Sequence, residues 1–198
     1  LNVGFKPFSS VASIHSCLDA MRQIMQENKL KPDDVQKVLA GMSTMTHVHC
    51  AWEYKSQGVT AAQMNLFFGL AVIAYDGEAF VDQYREDRLA EPKLLDFIKK
   101  IEAVADKEID DMGAPFRHAA RITVTTKDGR KFYKEVLHRL GSPENPWSPN
   151  QVRHKFGILT KHCLSDAQRN DLVKLVQSLD TLDDLSKLTN ILAAAKVA

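Results

Sequence analysis

A disulfide framework, a membrane span, a surplus of one charge and a glycine-rich phosphate loop are all missing from this 198-residue sequence. Its three cysteines, Cys17, Cys50 and Cys163, are odd in number and far apart, which does not suit a disulfide-stapled secreted domain and fits a reducing, cytoplasmic location. No window approaches the roughly 18 consecutive apolar residues of a membrane helix, so no membrane partner is expected. The longest apolar stretch, Leu66 to Tyr75, is interrupted by Gly69. Lysine and arginine number 26 against 25 aspartate and glutamate, a net charge of +1, so nothing advertises nucleic acid or an anionic surface as a partner. Neither a Walker nor a dinucleotide fingerprint occurs, and no cofactor is expected. An initiator methionine and a signal peptide are also lacking. The chain opens Leu1-Asn2-Val3-Gly4, and the expectation is a fragment of something longer.

What is present predicts an α+β fold with a helical tail. Ile14, Leu18, Met21 and Met25 recur at helical spacing and predict a first helix from about Ser13 to Asn28. The β-branched and apolar mixture from Gln36 to Val48 predicts a strand. Thr60-Ala61-Ala62-Gln63 has the form of a capping box opening a long apolar helix to Tyr75, which Asp76-Gly77 stops. A short helix from Glu78 to Gln83 follows. Pro92 suits the first turn of a further helix, with a strand near Ile101 to Ala105. Arg121 to Thr126 and Lys131 to Val136 flank Asp128-Gly129 and predict a β-hairpin. Three prolines, Pro143, Pro146 and Pro149, then mark a boundary. This gives an α+β unit over 1–140 and a helical segment over 141–198. Capping boxes at Ser148–Gln151 and Ser165–Gln168 open two of its helices, and Thr181 caps a third carrying Leu185, Leu188 and Leu192. Such short amphipathic helices are expected to dock on something.

Chemistry has few candidate sites. His47-Val48-His49-Cys50 on a strand would place two imidazoles on one face, but zinc needs three or four ligands and no second pair supplies them; no metal is assigned. Cys50 has no evident base to activate it as a nucleophile. His15 falls in the first turn of an amphipathic helix, where the positive dipole end favours a bound carboxylate and keeps the imidazole neutral. Asp19, one turn on, would orient its ring. The plainer alternative is a packed histidine capped by Ser13. Gln63 and Asn65 bring polar groups to a helix N-terminus, with capping the plainer role for Gln63 and a cleft-facing position open to Asn65.

Phe5-Lys6-Pro7-Phe8, Ile14-His15 and Asp19-Ala20 together resemble the start of the smaller domain of MmgE/PrpD proteins, which include 2-methylcitrate dehydratase and cis-aconitate decarboxylase. The resemblance continues through Ala61 to Asn65, Tyr75-Asp76-Gly77, Asp87-Arg88-Leu89, the hairpin and Gly141 to Pro146. It implies a lid-type domain of a carbon–oxygen lyase of the dehydratase type, acting on a small polycarboxylate without an iron–sulfur cluster. It further implies a missing N-terminal helical domain on which the tail docks, a homodimer, and an isolated chain without activity. His15 matches a histidine that reaches the substrate, and Lys6, Gln63 and Asn65 become substrate contacts. Ser9 and Ile14 depart from the family's usual Pro and Thr, which puts the substrate in doubt. A family isomerase or epimerase and a non-enzymatic module for a small acid or a partner are the alternatives.

Overall fold

The computed structural model describes residues 3–195 and divides the chain into two units, Leu1–Pro146 and Trp147–Ala198. Leu1 and Asn2, on which the chain opens, lie outside the described residues.

The first unit is α+β. A 3-10 turn, Ala12–Ile14, leads into α1 (His15–Glu27), and β1 (Val35–Met42) follows. The strand expected to run on to Val48 stops at Met42 and gives way to α2 (Thr44–Cys50). Ser43 is the reason: its Oγ accepts from the Thr46 amide at 3.2 Å and donates to the Arg117 carbonyl at 2.7 Å, so a local N-cap overrides the β-branched composition. The expected long helix is likewise two helices, α3 (Val59–Met64) and α4 (Leu66–Asp76). Gly58 rather than Thr60 precedes α3, without any side-chain cap, so the predicted Thr60–Gln63 capping box does not form. Gly77 closes α4 in the left-handed conformation, φ 70°, as its position predicts. In place of a helix over 78–83 there is a single 3-10 turn, Val81–Tyr84.

The remaining elements are α5 (Pro92–Ile98), β2 (Ile101–Ala105), α6 (Lys107–Asp111), β3 (Ala120–Thr126) and β4 (Lys131–Val136). The sheet order is β2-β1-β3-β4, with β1 and β2 parallel and the other pairs antiparallel. Strand alternation turns Val38, Ala40, Ile122 and Val124 inward, where α1 packs on β3 and β4. Behind α1 lies α4, which is apolar on nearly every side and correspondingly buried. At its Gly69 the two helices pack tightly: a Cβ there would sit 3.0 Å from Leu18 Cδ2. The acidic run near the end of β2 is used in place, Asp106 capping α6 and both Asp106 and Glu108 pairing with Arg121. Tyr75-Asp76-Gly77 and Asp87-Arg88-Leu89, twelve positions apart, meet through an ion pair of Arg88 with Asp76, and Arg88 also pairs with Glu91 at 3.1 Å.

The second unit consists of α7 (Pro149–Thr160), α8 (Asp166–Gln177), a 3-10 turn and α9 (Ser186–Ala193). Both predicted capping boxes, at Ser148–Gln151 and Ser165–Gln168, are formed. Thr181 does not cap the third helix; it lies in the 3-10 turn, and Asp184 instead accepts from the Ser186 amide at 2.8 Å. Val152, Phe156, Leu172, Val176, Leu188 and Leu192 line an apolar groove of about 460 Å³ within this unit. Among the described residues no helix is long and apolar enough to cross a membrane.

Candidate functional site

The segment before α1 carries the candidate site, and three backbone hydrogen bonds hold it. Phe5 N–H donates to the Gly141 carbonyl at 2.8 Å, Ser9 N–H to Ala79 at 2.8 Å and Val11 N–H to Gln63 at 2.9 Å. The first of these is a backbone crossing. A Cβ on Gly4 would lie 2.4 Å from the Gly141 oxygen, and one on Gly141, whose φ is 85°, would lie 2.2 Å from the Phe5 oxygen. Only glycine at both positions permits this approach.

Between these anchors the Ser10 carbonyl accepts two donors. Lys6 Nζ lies 3.3 Å from it and His15 Nε2 3.2 Å. Because a carbonyl only accepts, Nε2 carries the proton and Nδ1 holds the lone pair. His15 is 1% exposed, with the Phe8 ring edge-on at 5.4 Å. Burial, partly opposed by the Ser10 bond and reinforced by Lys6 and Arg139, pushes its pKa down to about 3. The neutral imidazole expected from its place at a helix start is present, but desolvation is the principal cause. Asp19 does not orient the ring; its carboxylate is taken by Arg22 at 2.5 Å and Gln23 at 2.8 Å. Nor does Ser13 cap the helix, since the N-cap position, Ile14, has no side-chain bond.

Two cavities meet at Lys6. One, of about 270 Å³, is lined by Lys6, His15, Arg139 and Ser142 together with the Gly4 and Gly141 backbone. The other, of about 320 Å³, is lined by Lys6, Ser9, Ser10, Thr60, Gln63 and Met64. Lys6 thus shares one cavity with His15 and the other with Gln63, whose side chain is not used in a cap. Asn65 reaches neither. It is fully buried, its Oδ1 accepting from the Phe68 amide at 3.0 Å and its Nδ2 donating to the Trp52 carbonyl at 2.7 Å. It fixes the start of α4.

Arg139 and His118 carry no local sequence signal of a role, because the cavity forms through the long-range crossing at Gly141. Burial, Arg139 and Arg117 together push the His118 pKa down to about 4, and its Nδ1 is buried with no hydrogen-bond partner among the described residues. His47 and His49, on a helix rather than a strand, point to different sides, and His47 Nε2 lies 3.2 Å from the Ala103 carbonyl. No group of three potential metal ligands converges among the described residues. Burial pushes the Cys50 thiol up to about 11 and Cys17 up to about 12, away from nucleophilic chemistry.

Comparison with known proteins places the chain in a family. The chain is 24% identical over 199 residues to cis-aconitate decarboxylase of Aspergillus terreus, covering 96% of this chain and 40% of that protein. It is 24% identical over 196 residues to the Homo sapiens cis-aconitate decarboxylase and 21% over 202 residues to that of Mus musculus, again covering 40% of each. The chain therefore spans about two fifths of the length of these curated relatives. The family model described as MmgE/PrpD C-terminal domain matches residues 8–181, and the chain belongs to the MmgE/PrpD family as its C-terminal domain.

Proposed function

We propose that this chain provides one wall of the active site of a lyase acting on a small polycarboxylate. The shared Ser10 carbonyl carries the reading, because it holds an ammonium and a neutral imidazole of defined tautomer beside one another. Lys6 binds a substrate carboxylate. His15 is the acid/base group: its Nδ1 lone pair takes a proton from carbon as hydroxide departs in a dehydration, whereas in a decarboxylation Nδ1 first takes a proton from solvent and then gives it to the carbon left with an electron pair when carbon dioxide is lost. The names of the relatives favour decarboxylation. A bound carboxylate beside Lys6 adds a negative charge that raises the basicity of His15 from its desolvated state. Gln63 contributes a polar contact from the second cavity, while Asn65 is a positioning residue.

The activity belongs to the longer protein, with a helical domain like the one the resemblance implies, and the isolated chain is expected to be inactive. The test compares turnover of cis-aconitate and 2-methylcitrate by the longest gene product containing these residues, as wild type and as His15→Ala. A fall of roughly a hundredfold or more is expected for removal of a general acid or base. Unchanged kinetics would reject the role. Deuterium entering the substrate from solvent without unsaturated product would identify an isomerase instead.

A further inference from the structure

We infer that Arg139 is the specificity-determining residue of the His15 cavity, taking a second carboxylate of the substrate opposite the one held by Lys6. This rests on the polycarboxylate reading of the site. Arg139 is half-buried, lines the same cavity as Lys6 and His15, and forms no ion pair among the described residues. Its situation contrasts with Arg22, Arg88, Arg121, Arg130 and Arg169, each of which pairs with an aspartate or glutamate. Glu144 feels the Arg139 charge only weakly, is exposed, and makes no ion pair with it among the described residues. A guanidinium beside a small enclosed space presents a planar fork matched to a carboxylate, which an ammonium does not.

Its position is built rather than incidental. The Gly4–Gly141 crossing brings the backbone two residues after Arg139 against the backbone two residues before Lys6, so the two cations face one cavity from separate segments. His118 and His15 both feel the Arg139 charge. A lone carboxylate engages Lys6 and leaves the guanidinium unsatisfied; an acid with two or more carboxylates on a short carbon chain engages both. Arg139 then selects di- and tricarboxylates over monocarboxylates.

The test is a titration of the longest gene product containing these residues, isotopically labelled, with tricarballylate and, separately, propionate, followed by amide chemical shifts. Tricarballylate is expected to shift the Gly4, Gly141 and Ser142 amides and to bind more tightly than propionate. Arg139→Gln should weaken tricarballylate binding about tenfold to a hundredfold, the scale of a lost charged hydrogen-bond pair, while changing propionate binding little. Arg139→Lys should restore part of that loss, which a merely structural role would not predict, and it serves as the decisive variant if Arg139→Gln does not fold. Unchanged tricarballylate affinity in Arg139→Gln, with binding still weakened by Lys6→Met, would overturn the assignment and leave the site standing. No binding to the wild-type longer protein, or shifts confined to residues away from Lys6 and His15, would overturn both.

Discussion

Protonation of His15 should penalise folding in a narrow and calculable window. Its pKa lies at about 3 in the folded chain against 6.5 when unperturbed, so below neutrality the unfolded chain binds a proton that the folded chain refuses. Stability is thus unaffected well above pH 6.5 and declines as pH falls toward 3, by 1.36 kcal/mol per unit once the unfolded imidazole is fully charged. Between about pH 7.5 and 5.5, where most carboxylates stay ionised, the loss due to this one group is roughly 1–2 kcal/mol. His15→Gln removes the titration and can still offer an amide N–H to the Ser10 carbonyl. Urea denaturation of both proteins at the two pH values isolates the effect, because His118, which declines in the same direction, contributes equally to each and cancels. Wild type should lose roughly 1–2 kcal/mol more than the variant on acidification. Parallel losses would show that His15 is accessible to protons in the folded chain and refute its desolvated state.

Three further measurements probe the scaffold. Asn65→Ala should destabilise by about 2–4 kcal/mol in urea melts, combining a lost N-cap with an unsatisfied Trp52 carbonyl, and Asn65→Asp should also destabilise, because it keeps the cap but sets a buried carboxylate, which cannot donate, against the Trp52 carbonyl. Gly141→Ala should cost at least about 1–3 kcal/mol from the left-handed backbone alone. The same change should shift the Lys6 amide resonance, and a wild-type spectrum there would contradict the crossing. In thiol labelling of the native chain, half-exposed Cys163 should react first and the buried Cys17 and Cys50 only at the rate of unfolding. Rapid reaction of all three would contradict their burial.

The elements legible in the sequence are those whose signals are local. The Asp128-Gly129 hairpin, the Gly77 stop, Pro92 at the start of α5 and the two serine capping boxes each depend on residues within a few positions of one another. The misread elements have composition and context in conflict. Gln36 to Val48 is β-prone throughout, yet one serine hydroxyl anchored to a distant carbonyl ends the strand at Met42. Thr60 to Tyr75 is helical in pattern, but Asn65 has an extended backbone and its side chain bridges to Trp52, dividing the run. His15 and Lys6 could be singled out because helix position and a resemblance point to them. Arg139 could not, since it reaches the same cavity only through two glycines that meet across most of the first unit.

That meeting of Gly4 and Gly141 also governs how the site can vary. Side-chain packing adjusts when core residues are exchanged, so distances set by packing drift as a sequence diverges. Here the separation of the two cation-bearing segments is set by peptide against peptide, with no side chain between them to grow or shrink. Substitutions at Lys6, Ser9 or Arg139 can therefore alter which anion is accepted while the spacing of the cavity walls stays constant. The wall is a fixed gauge with exchangeable contacts, a division that lets one scaffold serve acids of different shape.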